Sequence, residues 1–283
     1  MRILITGTSG LIGRALAGHL KTVHEVIGMG RRDPKIDGVE HVPGNFAMFE
    51  DLRKLDGKPI DAVVHLAAVT GGCSERDGML VNVDGTRRLM RYLIDAGCRK
   101  YVMASSIAVI GIQSMRSRPL SLPVPDEHPC LDSEAYGFSK SMMEKVTEYY
   151  SRQNEGIDIT NLRLSSVMPD DSIRAPGGVT PLGPWAMGSI TVMLLQDAVR
   201  AFTLAAEAPS RPGLRIYNAA ASEAWLSVPT ADVLHEWWGD DVDLSWHRQP
   251  GNERRGVFDV ARIADGIGFT ADATLEKLRS FRG

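Results

Sequence analysis

Apolar positions at the start of the chain fall into two registers in succession. Arg2 to Thr6 is a short apolar run with β-branched Ile3 and Ile5, and Leu11, Ile12, Ala15 and Leu16 then follow helical spacing. This predicts a buried strand running straight into a helix. Further strand-like runs occupy residues 24–29, a shorter stretch near 39–42, then 61–68 and 100–104, with a sixth strand leading to Asn161. Between them, apolar residues at 79, 80, 83, 89, 90, 93 and 94 mark one helix face, and Met142, Met143, Val146, Tyr149 and Tyr150 mark another in a helix opening at Tyr136. Strands alternating with helices predict an α/β fold, a doubly wound parallel sheet of the Rossmann type. A dinucleotide-binding domain over residues 1–166 and a smaller C-terminal substrate-binding lobe over 167–283 are expected.

At the first strand–helix junction stand Gly7, Gly10 and Gly13. In such a turn the first glycine makes the tight bend, the second lets backbone approach a phosphate, and the third lets helix and strand pack closely. Free N–H groups at the helix start face an anion. With 28 glycines in 283 residues the spacing alone is weak, and the flanking strand and helix supply the context it requires.

Composition then narrows the partners. A hydrophobic fraction of 43% and a charged fraction of 24% are ordinary for a soluble globular chain. The formal charge of −3 gives no basic excess for nucleic acid or an anionic membrane. No apolar run approaches the roughly 18 residues of a membrane span, and the first residues, read as a core strand, leave no room for a signal peptide. Cys73, Cys98 and Cys130 are scattered and lack Cys-x-x-Cys spacing, which fits a reduced cytoplasmic setting. The histidines form no metal-ligand pattern, so no metal is expected.

The second strand ends at Gly30-Arg31-Arg32-Asp33. In a dinucleotide fold a carboxylate there holds the ribose 2′-OH, and an arginine accommodates a 2′-phosphate. Gly30 occupies the expected carboxylate position, so Arg31 and Arg32 favour NADP(H). The alternative is NAD(H), with Asp33 reaching the ribose. Ala67 and Ala68 follow the third long strand and leave space for a cofactor. His65 reads as a packed strand residue, while Asn82 bridges the helix backbone and a water near the site or serves as a structural amide.

Ser105-Ser106 follow the strand at 100–104, and thirty residues after Ser106 comes Tyr136-Gly-Phe-Ser-Lys140. Tyr136 and Lys140 share a helix face. A phenol of ordinary pKa about 10 is a poor base at neutral pH, but an ammonium beside it, with an oxidised nicotinamide's positive ring, favours the phenolate.

The Thr6-Gly7-x-x-Gly10-x-x-Gly13 turn, His65-Leu-Ala-Ala68, Asn82, Ser105-Ser106-x-x-Val109-x-Gly111 and Tyr136-x-x-x-Lys140 together resemble the extended short-chain dehydrogenase/reductases. Within these the chain is similar to the NAD-dependent epimerase/dehydratase family. Looser matches continue through Asn161-Leu-Arg-Leu164, Gln196-Asp197-Ala198 and Asp259-Val-Ala-Arg near Gly268-Phe269. The resemblance implies that Ser106 holds the substrate oxygen, Tyr136 is the acid/base, and Lys140 binds the nicotinamide ribose and tunes the tyrosine, with Asn82 completing the catalytic set. It further implies cofactor contacts at Gly7, Thr8, Gly10, Leu11, Ile12, Gly13, Arg31, Arg32, Asn45, Leu66, Ala67, Ala68, Tyr136, Lys140, Ser166 and Val167. Helices over 79–97 and 136–152 would pair two copies into a homodimer, as the family often does.

The departures from the family bear on the substrate. Ile110 precedes Gly111 where tyrosine is common, Leu164-Ser-Ser-Val-Met-Pro169 lacks an asparagine found in many nucleotide-sugar enzymes, and Gln249-Pro-Gly-Asn252 follows Arg248 where an arginine would grip a diphosphate. A small sugar-like substrate is therefore expected, with hydride transfer at a secondary alcohol or ketone carbon. Epimerisation or dehydration with retained NAD is the alternative, and a cofactor-sensing regulator is disfavoured by the complete Ser106, Tyr136 and Lys140. Residues 112–135 read as a loop over the cleft carrying Arg116 and Arg118. The Gly- and Pro-dense residues 170–189 read as an irregular substrate loop, with Arg174 a possible anion contact and Trp185 a lid aromatic.

Overall fold

Arg2–Thr6 forms β1, whose residues pair on both sides: Ile3 lies opposite Val26 of β2 (Glu25–Gly30) and opposite Ala62 of β4 (Ala62–His65). A strand flanked on both sides and covered on both faces needs the continuous apolar run seen there. In this computed structural model, which describes residues 1–169, 176 and 186–272, the other strands are β3 (Glu40–Pro43), β5 (Lys100–Ser106), β6 (Asp158–Leu164), β7 (Ser166–Met168), β8 (Val192–Leu194) and β9 (Gly213–Ala219). The helices are α1 (Leu11–Leu20), α2 (Phe49–Leu52), α3 (Glu75–Asp77), α4 (Thr86–Asp95), α5 (Ala135–Gln153), α6 (Ala186–Ile190), α7 (Leu195–Glu207), α8 (Thr230–Trp238) and α9 (Ala261–Ile267).

Seven strands make one sheet in the order β3-β2-β1-β4-β5-β6-β9, and β3, β2, β1, β4 and β5 run parallel. The fold is the expected doubly wound Rossmann type. Strand order reverses between β1 and β4, so the crevice that such sheets offer a ligand opens beyond the carboxyl ends of those two strands. β7 and β8 form a separate parallel pair.

The chain separates into two compact units that interleave along the sequence. The first comprises Met1–Ser105, Glu134–Leu162 and Val199–Ile216; the second comprises Ser106–Ser133, Arg163–Ala198 and Tyr217–Gly283. A single cut at residue 166 is thus replaced by several crossings. The chain leaves the first unit after Ser105 and rejoins it with α5, then returns once more because β9 extends the sheet beside β6.

The first unit's core joins Leu4, Ile27, Val63, Leu89, Met90, Leu93, Tyr101, Met103, Met143 and Tyr150. Full burial of an aliphatic side chain of this size contributes about 1.5–3 kcal/mol. The second unit has its own core, in which Val109, Ile110, Val124, Leu226, Val233, Leu234, Trp238 and Phe258 pack together. Residues 112–133 carry no helix or strand and are tied within this unit: Val124 bridges to Phe258, Trp238 Nε1 donates to the Met115 carbonyl oxygen, and Arg118 pairs with Asp241.

The helix expected over 79–97 differs in its first half. Gly78–Gly85 winds as a π-helix before α4 begins, and the wider turn faces Gly78, Asn82 and Gly85 inward. Leu80 is exposed as a result, whereas Leu89, Met90, Leu93 and Ile94 are buried as their spacing predicts. On α5 the inward face is unexpectedly polar, with Ser139, Lys140, Ser141, Glu144 and Thr147 buried and Tyr149 exposed. Of these, Ser139, Lys140 and Glu144 belong to the candidate site.

Candidate active site

Gly7 adopts φ +78, and a Cβ on it would stand 2.8 Å from the Ala67 backbone nitrogen. Only glycine allows the carboxyl ends of β1 and β4 to approach so closely. Gly13 is equally constrained, since a Cβ there would lie 2.2 Å from the Gly7 carbonyl oxygen. Gly10 differs: it is exposed with φ −82, and its N–H donates to the Gly7 carbonyl oxygen at 2.9 Å. It caps α1 without a side chain, and no acidic residue lies in the first turn, so nothing there repels an anion. Leu11 is exposed, Ile12 half-buried, and Thr8 buried against Gly28. This cradle at the switch point fits a dinucleotide's pyrophosphate.

Thr6 holds the facing strand end. Its Oγ1 accepts from the N–H groups of Leu66 and Ala67, both at 3.2 Å, and lies 2.7 Å from His65 Nδ1. His65 Nε2 lies 3.0 Å from Thr86 Oγ1. Burial, followed by the neighbouring charge of Lys140, lowers the His65 pKa to about 3, so the ring is neutral and structural. Ala68 is half-buried just beyond.

At the end of β2, Arg31 and Arg32 are exposed, with no hydrogen bond or ion pair among the described residues. Asp33 is engaged locally, its Oδ1 accepting from the Lys35 N–H at 2.8 Å, and Arg14 donates to the Pro34 carbonyl oxygen at 2.6 Å. Asn45 Oδ1 accepts from the Ala47 N–H at 3.1 Å.

Asn82 clamps the loop beyond β4. Its Oδ1 accepts from the Val69 N–H and its Nδ2 donates to the Val69 carbonyl oxygen and to Ser139 Oγ, each at 2.9 Å. Ser139 in turn donates to the Tyr136 carbonyl oxygen at 2.8 Å. The amide thus links the loop beside Ala68 to the first turn of α5. This is the structural-amide arrangement, with every polar atom of the side chain engaged.

Tyr136 is half-buried at the start of α5, and Lys140 Nζ lies 5.9 Å from its ring centroid. The ammonium is buried and donates to the Ala104 carbonyl oxygen at 2.7 Å. Desolvation pulls its pKa down to about 8. A cation therefore stands one helical turn from a phenol in a mostly dry setting, the arrangement that favours phenolate.

In the second unit, Ser106 ends β5 half-buried and its Oγ accepts from the Ala108 N–H at 3.1 Å, capping a short 3₁₀ turn. Ser166 and Val167 lie half-buried on β7, the Ser166 N–H donating to the Thr191 carbonyl oxygen. Ile110 is fully buried in this unit's core. Arg248 and Gln249 are exposed on a surface turn, where the Asn252 N–H donates to the Gln249 carbonyl oxygen. Arg174 and Trp185 lie outside the described residues.

The sequence pattern of the NAD dependent epimerase/dehydratase family matches residues 3–180. The chain belongs to this family. It is 28% identical over 181 residues to an NAD-dependent glucose-6-phosphate dehydrogenase from Haloferax volcanii, covering 58% of this chain and 68% of the relative. It is 30% identical over 181 residues to a UDP-glucose 4-epimerase from Lactobacillus helveticus, covering 59% of this chain and 52% of that one. In structure it is similar, with a TM-score of 0.73 and 24% identity, to a short-chain dehydrogenase/reductase superfamily protein from Agrobacterium tumefaciens with bound NAD, over 100% of this chain and 97% of that one.

Sequence reasoning missed the polar supports: Ser105 and Glu144, whose side chains meet at 2.6 Å, together with Ser139 and Thr86. Glu144 had a signal, since it follows Lys140 by one helical turn on the same face. Among the described residues no helix is long and apolar enough to cross a membrane, and no group of three or more His, Cys, Asp or Glu could hold a metal.

Proposed function

We propose that the protein is an NAD(P)-dependent dehydrogenase or reductase acting on a secondary alcohol or ketone carbon of a small sugar-like substrate. The observation that carries this reading is the Tyr136–Lys140 pair, a half-exposed phenol one turn from a buried ammonium. When bound, the dinucleotide supplies the hydride acceptor or donor. Gly7, Gly10, Gly13, Leu66 and Ala67 would hold its pyrophosphate and neighbouring atoms, and Arg31 and Arg32 its adenosine phosphate, which favours NADP(H). Tyr136 passes the hydroxyl proton, Lys140 stabilises the phenolate, and Ser106 holds the substrate oxygen. Asn82 keeps the loop at Val69 and the first turn of α5 in register.

The epimerase relative favours a second reading, in which NAD stays bound and hydride returns to the substrate. Against it stand buried Ile110, which offers no hydroxyl, and the exposed turn at 248–252, which carries a single arginine. A substrate without a diphosphate to anchor suits these features better. The apolar side chains exposed on the two long helical segments, Leu80 and Tyr149, support a homodimer, and the three free thiols suit a cytoplasmic location.

The test uses purified protein: mass spectrometry for retained dinucleotide, then a screen of free sugars, sugar acids and nucleotide sugars followed by NAD(P)H absorbance. Substrate-dependent absorbance change with a free sugar or sugar acid is expected. Stoichiometric, non-dialysable NAD with interconversion of a nucleotide sugar and no absorbance change would replace this reading by the epimerase.

A further inference from the structure

One turn beyond Lys140, α5 carries a second buried charge that the acid/base reading leaves unused. Tyr136, Lys140 and Glu144 follow one another at four-residue spacing and share a helix face. Lys140 is 3% exposed and Glu144 4%. Both are fastened to consecutive residues of β5: Lys140 Nζ donates to the Ala104 carbonyl oxygen at 2.7 Å, and Ser105 Oγ donates to Glu144 Oε1 at 2.6 Å. Ser105 is itself buried. Ser105 is thus directed to α5, where its hydroxyl reaches Glu144.

A buried charge persists only when paired and hydrogen-bonded. We propose that Glu144 is a positioning residue for the acid/base pair: its carboxylate, held in place by Ser105, is the counter-charge that keeps Lys140 an ammonium beside Tyr136. This inference rests on the Tyr136 reading given above. Groups from three elements and a loop face the ammonium among the described residues. Tyr136 and Glu144 come from its own helix, His65 from β4, Cys73 from the loop after β4, and the Ala104 carbonyl from β5. His65 is neutral, and Cys73 acts more weakly than Glu144. Burial brings Lys140 down to about 8 even with Glu144 opposing the shift, so loss of that carboxylate carries it toward neutral pH.

The experiment titrates Lys140 directly, by NMR of the cofactor-free enzyme labelled with ¹³C-lysine, the signal being assigned with Lys140→Met. Glu144→Gln preserves shape and can still accept from Ser105, and circular dichroism confirms its fold. Its Lys140 midpoint is expected to fall by about one pH unit below wild type. Any turnover of a sugar substrate is then about fivefold lower at pH 8 and unchanged at pH 6, since the charged fraction differs only at the higher pH. Ser105→Ala shifts the midpoint in the same direction by less, and carries the measurement if Glu144→Gln does not fold. A midpoint unchanged in the folded variant would overturn the proposal and leave Glu144 a packing residue. A midpoint that falls as expected in a protein that turns over no sugar would retain the Glu144–Lys140 coupling and reject the dehydrogenase reading instead.

Discussion

The hydroxyl of Thr6 donates to Nδ1 of His65, and its direction is fixed by its neighbours. Thr6 Oγ1 already accepts from the N–H groups of Leu66 and Ala67, so its single proton is left for the imidazole 2.7 Å away. His65 must then carry its own proton on Nε2 and donate it to Thr86 Oγ1. The result is a neutral bridge joining β1, β4 and the start of α4 at the mouth of the dinucleotide crevice.

This bridge makes stability pH-dependent in a predictable sense. The His65 pKa is depressed to about 3 in the folded state, against about 6.5 unfolded, so below pH 6.5 the unfolded chain takes up a proton that the folded one refuses. The stabilisation is complete above pH 6.5 and is lost as pH falls toward 3, at about 1.4 kcal/mol per pH unit from this group. Urea unfolding of wild type and His65→Asn between pH 7 and 4 measures it. The variant should be less stable at pH 7 but show a shallower decline on acidification. Parallel declines would mean that the imidazole is already protonated in the fold.

Asp158 gives a prediction away from the site. Its buried carboxylate takes Lys100 Nζ at 3.0 Å, the Arg211 N–H at 3.1 Å and the Arg215 guanidinium, joining β5, β6 and β9 at their amino ends. Removing one partner leaves two poorly solvated cations facing each other, which costs about 3–5 kcal/mol. Asp158→Ala is expected to lower the unfolding midpoint accordingly, while Asp158→Ala with Lys100→Met and Arg215→Met recovers part of the loss. No recovery would place the cost in packing rather than charge.

The first six strands and the Tyr136–Lys140 pair were legible because each depends on local spacing. The continuous apolar run at β1 implied a strand buried on both faces, and Gly7 and Gly13 stand where backbone crowding demands them. The first half of the helix face over 79–97 was not legible. Helical spacing assumed α-geometry, and the π-helical turn at Gly78–Gly85 rotates Asn82 inward and Leu80 outward. The polar underside of α5 was missed for a related reason: Glu144 and Ser105 are distant in sequence, and only the packing of α5 on β5 makes them partners. The interleaved units were hidden because β9 joins the sheet from late in the chain.

Tyr136→Phe removes the transferable proton and keeps the aromatic ring. Turnover should fall by about 10²- to 10⁴-fold, the usual contribution of a positioned acid or base, with dinucleotide affinity within a few fold of wild type. Stopped-flow turnover and fluorescence titration of the cofactor check both halves. Activity within tenfold of wild type would assign the proton to another group.

The cofactor choice turns on the end of β2. Gly30 offers no carboxylate for a ribose 2′-OH, Asp33 is tied to the Lys35 N–H, and Arg31 and Arg32 are exposed with their guanidinium groups uncommitted. A guanidinium meets phosphate through two parallel charge-assisted bonds, whereas NAD(H) presents only a hydroxyl there. Loss of one such contact costs about 1.5–3 kcal/mol, roughly 10- to 150-fold in affinity, with exposure and salt drawing the effect toward the lower figure. Titration of wild type should therefore show tighter binding of NADP(H), by a margin that narrows as ionic strength rises. Arg31→Ala or Arg32→Ala should weaken NADP(H) and leave NAD(H) nearly unchanged, because only NADP(H) presents a phosphate for a guanidinium to grip. A wild type that prefers NAD(H), or a ratio that neither substitution moves, would assign the ribose to Asp33 and remove the arginines from the site.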